Sequence, residues 1–98
     1  MSETQSTYWV SGLSIGPRKE LLLQFSNPNY EFPTSEDVKA LVKQFNLTGG
    51  SVATLTGVEP RTVRKWMAPD SAANHSKIPY AAWRLLLLEL GLVKPTER

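Results

Sequence analysis

The stretch TGGSVATLTGVEPRTVRKWM, residues 48–67, contains two short helical patterns separated by a single glycine. Thr48 is a good N-cap because its hydroxyl can accept a hydrogen bond from a free N–H group at the start of a helix. Val52 and Leu55 then give that helix an apolar face. Gly57 can adopt the left-handed conformation that ends a helix without steric cost. The pattern predicts a helix of about two turns before the glycine.

The second half of the stretch predicts another helix, from Pro60 to about Met67. Glu59 occupies the capping position, and proline suits the first helical position because its missing N–H is not needed there. At ~100° per residue, the side chains divide into two faces. The apolar face consists of Val63, Trp66 and Met67, and the opposite face consists of Arg61, Arg64, Lys65 and Ala68. Half of this helix is therefore predicted to join the core, while the cations form a ridge on the surface.

This cationic ridge, Arg61, Arg64 and Lys65, has the chemistry of DNA recognition. The major groove of B-DNA is ~12 Å wide and admits one helix. Arginine can donate two N–H groups at once to guanine or to a phosphate, and lysine adds a point charge toward the backbone. The sequence favours a DNA-reading pair of helices, with a purely structural helical corner as the alternative.

Positive charge is concentrated in one part of the chain. The net charge of the 98 residues is +2, but residues 1–60 carry four cations and six anions, and residues 85–98 are balanced. Residues 61–84 carry five cations against Asp70 alone. Such a concentration is typical of a phosphate-facing surface, although a solvated helix face would also explain the charge.

Further helices are predicted on both sides of this stretch. Thr34 marks a helix start, since its hydroxyl can cap free N–H groups and the acidic residues after it favour the positive end of the helix dipole. Apolar residues then recur at helical spacing, at Val38, Leu41, Val42 and Phe45. Asn46 is predicted to end this helix. Pro79 opens a last helix, Tyr80–Leu90, which Gly91 ends.

The N-terminal part is less regular. Residues 1–16 are predicted to form an arm or a short strand around Tyr8-Trp9-Val10. Pro17 begins either a helix through Phe25 or, because of three consecutive leucines, a buried strand. Residues 26–33 predict a loop. The whole chain is therefore predicted to be an all-α domain, a small bundle of four to five helices, at residues 17–98, preceded by the arm.

Composition excludes several classes of function. The absence of cysteine rules out disulfides, thiolate nucleophiles and zinc–sulfur sites. The N-terminus has no basic or apolar signal region, and the longest apolar run, Leu85–Leu88, is far short of the ~20 residues of a membrane span. Acids, bases and nucleophiles are not clustered, and the single histidine, His75, has no metal-binding companion. We expect a cytoplasmic protein that is not an enzyme, with no cofactor, metal site, membrane partner or evident small-molecule effector.

Residues 48–67 resemble the helix-turn-helix of the phage-repressor/Cro (XRE-like) class of DNA-binding proteins. The resemblance is carried by Leu47-Thr48, Val52-Ala53, Gly57-Val58, Val63 and Trp66, and it extends in outline over residues 35–92. It implies that residues 60–68 form the recognition helix, inserted in the major groove. The residues it implies to face DNA are Glu59, Arg61, Thr62, Arg64 and Lys65.

One position departs from that class. A glutamine often follows the capping threonine or serine there and holds a phosphate, whereas this chain has Gly49 and then Gly50. We expect the bare N–H groups at residues 49–51 to approach a phosphate directly, as helix N-termini can. Thr48, Gly49 and Gly50 therefore belong to the predicted DNA-binding residues.

The connection from Ala68 to Ile78 completes the predicted site. Its small and hydrogen-bonding residues include Asn74, His75 and Lys77, which could reach the phosphate backbone beside the groove. An ordinary solvated loop is the alternative. Arg84, within the last helix, could turn toward DNA or toward water.

We therefore expect sequence-specific binding of double-stranded DNA by a transcriptional repressor, of a kind often encoded by phages or plasmids. Because the last helix is apolar nearly all round, a homodimer through this helix or through Tyr8–Ile15 is predicted, with complete burial in the monomer as the alternative. Two other functions remain open. One is an excisionase-like architectural DNA-binding factor, and the other is an antitoxin-like protein-interaction module that would use the last helix and Tyr8-Trp9-Val10.

Overall fold

Four α-helices follow a short 3₁₀ helix along the chain. The computed structural model describes residues 17–95, so the arm predicted at residues 1–16 lies outside the described residues. The 3₁₀ helix spans Lys19–Leu22, and the α-helices are α1 (Ser35–Gln44), α2 (Gly49–Thr56), α3 (Pro60–Met67) and α4 (Tyr80–Glu89). No strand occurs in the described part, and the predicted all-α class, a small bundle of four to five helices, is confirmed.

The helix boundaries follow the local signals in the sequence. Thr34 Oγ1 accepts a hydrogen bond from Asp37 N at 3.2 Å, and Asp37 Oδ2 accepts one from Thr34 N at 2.8 Å. This reciprocal capping box starts α1. Asn46, one residue beyond the C-cap, has a φ of 54°, so it turns the chain out of the helix as predicted.

The turn between α2 and α3 depends on Gly57. Its φ of 75° lies in the left-handed region, where a Cβ would add strain. Ala53 O accepts hydrogen bonds from both Gly57 N at 2.8 Å and Val58 N at 3.1 Å, which closes the end of α2. Pro60 then begins α3 at its first position. Both helices of residues 48–67, α2 and α3, therefore lie within the predicted bounds.

The core lies where α2 meets α3 and α4, and α3 also packs against α1. The buried apolar side chains are Leu21, Val38, Leu41, Val52, Ala53, Val63, Trp66, Ile78, Trp83, Leu86 and Leu87. Burying a side chain of this size stabilises a fold by about 1.5–3 kcal/mol. Every helix contributes to this core, so the orientation of α3 is held by its neighbours.

The segment from Pro17 to Phe25 forms neither the long helix nor the strand considered from its sequence. It contains one turn of 3₁₀ helix, after which Leu23 is extended. The carbonyl oxygens of Leu21 and Leu22 accept hydrogen bonds from Trp83 Nε1 at 2.9 Å and Arg84 Nη1 at 2.8 Å. Contacts with α4 therefore satisfy backbone groups that a longer helix would have used.

α4 is the helix for which the sequence left two possibilities open, burial within the monomer or contact with a second copy. Trp83, Leu86 and Leu87 are fully buried within the monomer, while Leu85 and Leu88 are only partly covered. The monomer core therefore accounts for most of the apolar surface that prompted the dimer prediction. Neither α4 nor another helix of the described part has the length and apolar character needed to cross a bilayer.

Candidate nucleic-acid interface

The two faces of α3 are separated as the sequence pattern predicts. Val63 and Trp66 are 0% and 3% exposed and anchor the helix in the core. The cationic ridge on the other face is exposed to solvent. Because the buried side chains prevent α3 from rotating, the ridge is held in a fixed direction.

The ridge is electrostatically available to a ligand. Arg61 Nε lies 3.6 Å from Glu59 Oε1, and both side chains are more than 70% exposed, at 72% and 77%. An exposed pair of this kind contributes little stability and exchanges readily for a stronger partner. Within residues 17–95, no carboxylate lies within ion-pair distance of Arg64 or Lys65. An anionic ligand would therefore displace few existing contacts.

The start of α2 provides a second polar surface. Thr48 Oγ1 accepts a hydrogen bond from Ser51 N at 3.0 Å, and Ser51 Oγ accepts one from Thr48 N at 2.8 Å. The predicted DNA contact Thr48 thus has its side chain in a capping box. The expectation of bare N–H groups at residues 49–51 is therefore wrong for Ser51, whose N–H group is capped by Thr48. The N–H groups of Gly49 and Gly50, which lack partners within the helix, remain as the donors at this end.

Gly49→Ala should stabilise the domain and weaken its affinity for DNA. A Cβ at Gly49 would meet nothing within 4 Å, so the substitution adds helix propensity of up to about 1 kcal/mol without a clash. The added methyl group would keep a phosphate from the bare N–H groups. Thermal unfolding measures the first effect and fluorescence anisotropy with labelled duplex DNA measures the second.

Gly50→Ala applies the same test to the second free N–H group at this end of α2. A Cβ there would lie 3.7 Å from Thr48 Oγ1, an ordinary van der Waals contact, so a similar gain in stability is expected. DNA affinity unchanged in both variants would refute direct approach of the phosphate to this helix end. A loss confined to Gly49→Ala would locate the phosphate at the first helical residue.

The connection between α3 and α4 is tied to the protein rather than solvated throughout. Ser76 N donates to Lys65 O at 3.0 Å, and His75 Nδ1 donates to Ala68 O at 2.9 Å. His75 Nε2 lies 3.5 Å from Asp70 Oδ1, which also accepts a hydrogen bond from Ser35 N at 3.3 Å. These contacts bind carbonyl groups at the C-terminal end of α3, which would otherwise lack partners.

The three residues predicted here as phosphate contacts have different environments. The His75 side chain is only 18% exposed and has protein partners at both ring nitrogens, whereas Asn74 is exposed. Lys77 Nζ lies 4.8 Å from the centre of the Phe32 ring. Their roles as DNA contacts stay predictions. The sequence did not reveal that His75 and Ser76 bind the C-terminal end of α3, because the groups that they bind there are backbone carbonyls.

The Arg84 side chain is partly buried and binds backbone carbonyl groups of two other chain segments. Besides its bond to Leu22 O, its Nη2 lies 3.5 Å from Lys94 O. The guanidinium group therefore joins α4 to the segments before α1 and after α4. An arginine on an otherwise apolar helix was the only signal for this role, since nothing local indicates which carbonyl groups it binds.

Known proteins match more than half of this chain in sequence. No protein-family model matches it. A transcriptional repressor protein KorC from Escherichia coli is 40% identical over 63 residues, which cover 61% of this chain and 68% of the relative. Another KorC repressor from Escherichia coli is 39% identical over 57 residues, covering 55% of this chain and 61% of that relative.

The relatives of this small all-α chain with its exposed cationic helix are thus transcriptional repressors by name. At 40% identity over more than two thirds of the relative, the chain belongs to the family of the transcriptional repressor protein KorC.

Proposed function

We propose that this protein is a repressor that binds double-stranded DNA through a helix-turn-helix formed by α2 and α3. α3 enters the major groove, and α2 lies across it with its N-terminus toward a phosphate. The observation that supports this most strongly is the division of α3, which carries an exposed cationic ridge directly opposite Val63 and Trp66 in the core. The family relationship independently favours a repressor.

The predicted DNA contacts at residues 59–65 divide between reading bases and holding the backbone. Arg61 and Arg64 donate to guanine, and Thr62 contacts a neighbouring base edge. Lys65 supplies a phosphate contact and therefore part of the salt-dependent affinity. Glu59, at the N-cap, accepts from the exposed amino group of cytosine, which gives the site a preference beyond guanine. Bound at a promoter, such a complex excludes the transcription machinery.

A second copy completes the proposed complex. Two recognition helices one turn of DNA apart, about 34 Å, would read the two halves of a palindrome. The cationic ridge is exposed, so α3 can approach DNA in this complex without any rearrangement of the fold. This arrangement makes the protein a homodimer on DNA, whatever its state in free solution.

The proposed function is tested by selecting bound sequences from a pool of random duplex DNA with the purified protein. We expect an enriched palindrome with half-sites about one turn apart. An enriched site without symmetry would favour the excisionase-like architectural factor. No enrichment at low salt would contradict DNA recognition altogether and favour the antitoxin-like interaction module.

A further inference from the structure

Four aromatic rings lie together beside the start of α4. Phe25, Tyr30 and Phe32 come from the segment before α1, and Tyr80 is the first residue of α4. Neighbouring ring centroids are 5.3 to 6.2 Å apart in tilted or edge-to-face geometry. These distances and angles are the ones that aromatic pairs prefer. The four side chains, named here the aromatic surface cluster, are therefore an ordered part of the fold.

This ordered cluster is nevertheless open to solvent. Phe25 is 58% exposed and Phe32 is 48% exposed, and they are the large apolar side chains of residues 17–95 that remain exposed. The Tyr30 hydroxyl is buried and has no hydrogen-bond partner among the described residues. Burial is the main cause that raises the pKa of Tyr30, and the neighbouring Tyr80 is the smaller cause. Contiguous exposed aromatic rings on a preformed surface are typical of an interface.

The aromatic surface cluster adjoins the proposed recognition helix. Lys77 Nζ lies above the Phe32 ring, at 4.8 Å from its centre. The residue before it, Ser76, is hydrogen-bonded to the carbonyl of Lys65 in α3. The cluster is therefore connected through two adjacent residues to the C-terminal end of α3. A contact made here would couple two recognition helices through Phe32, Lys77 and Ser76.

The exposed area of the cluster is too small for a permanent complex. A phenylalanine side chain contributes roughly 150–250 Å² when buried, so the exposed halves of two rings amount to about 200 Å². A stable interface needs about 800 Å² from each partner. A patch of this size can join two partners when a scaffold already holds them side by side, because the effective concentration of one partner around the other then reaches the millimolar range. Adjacent half-sites on DNA are such a scaffold.

We propose that the aromatic surface cluster joins two copies of this chain bound to adjacent half-sites of a palindrome. This inference rests on the proposed function. The contact is the same patch on both copies, as a two-fold axis requires. It replaces the dimer contact predicted through the last helix, whose residues Trp83, Leu86 and Leu87 are already buried. The protein is accordingly a monomer in micromolar solution and a cooperative dimer on DNA.

Binding curves on two duplexes test the contact, one duplex carrying a single half-site and the other the complete palindrome. Wild-type protein is expected to bind the palindrome cooperatively and about tenfold more tightly than the half-site. The double variant Phe25→Ser, Phe32→Ser is expected to bind the half-site like wild type and to lose the cooperative gain. The half-site measurement also verifies that the variant is folded.

The outcomes separate this inference from the proposed function. Cooperative binding by the double variant would overturn the contact while leaving DNA recognition intact. A stable dimer of the wild type in DNA-free solution would also overturn it. Wild-type protein that binds neither duplex would overturn the proposed function and this inference together.

A cysteine cross-link supplies a test that does not depend on weakening the protein. The chain has no cysteine, so Phe25→Cys introduces a unique thiol at the cluster. Oxidation should give a cross-linked dimer on the palindrome and none on the half-site. Glu89→Cys is the matched control, since this exposed residue lies at the other end of α4, about 14 Å from Tyr80. Equal cross-linking of both variants would overturn the proposed contact.

Discussion

Replacing Arg61 and Arg64 together by alanine should abolish sequence-specific DNA binding and leave the fold unchanged. Each bidentate contact to guanine contributes about 1–3 kcal/mol of discrimination, so losing both should weaken binding to the selected site by about 30-fold or more. Both side chains project from the exposed face of α3 and take no part in the core. Anisotropy titrations with the selected duplex, alongside thermal unfolding, measure both quantities.

The matched control removes the same charge elsewhere. Lys39 and Lys43 are both exposed on α1, and the pair that Lys39 makes with Glu36, at 3.5 Å, is a surface contact of little energy. Lys39→Ala, Lys43→Ala therefore changes the net charge as the ridge variant does. Equal losses of affinity in the two double variants would mean that general charge, and not the cationic ridge, is responsible for binding.

Trp83→Ala should leave the chain largely unfolded. Trp83 is 0% exposed, and removing a buried tryptophan side chain costs about 3–5 kcal/mol. The Leu21 carbonyl would also lose the hydrogen bond that Trp83 Nε1 donates at 2.9 Å. The free energy of unfolding of a native domain is only about 5–15 kcal/mol in total, and for a domain as small as this one it lies near the lower end of that range. Urea denaturation followed by circular dichroism measures the free energy of unfolding.

Trp83→Phe separates the contribution of the buried side-chain volume from that of the hydrogen bond to Leu21 O. The phenyl ring keeps much of the buried volume but cannot donate to Leu21 O, so we expect a folded protein that is less stable by about 1–3 kcal/mol. If Trp83→Ala unfolds at the same urea concentration as wild type, the Trp83 side chain does not hold the segment before α1 against α4.

The helix limits of residues 34–67 were predictable because each is set within one turn of the chain. The capping hydroxyls of Thr34 and Thr48, and the left-handed Gly57, act on backbone groups no more than four residues away. The segment from Pro17 to Phe25 could not be predicted in the same way. Its conformation depends on Trp83 and Arg84, both 62 residues from the carbonyl groups they bind.

The candidate site shows the same distinction. The cationic ridge follows from helical periodicity alone, since Val63 and Trp66 fix which side of α3 remains exposed. The contact of His75 with the C-terminal end of α3 does not follow from periodicity, because the partners of His75 are a backbone carbonyl and the Asp70 carboxylate. Such partners leave no pattern in the sequence, and the aromatic surface cluster likewise forms only when Tyr80 meets rings from residues 25–32.

The sequence by itself determined the all-α class, the limits of the helices after residue 33, and a helix that is apolar on one side and cationic on the other. Those properties depend on hydrogen bonds and side-chain spacing within single turns. The tertiary structure alone decided the path of residues 17–33, the role of Arg84 as a link between chain segments, and the position of the exposed aromatic rings. Each of these depends on groups far apart in the chain, whose meeting is governed by how the whole core packs.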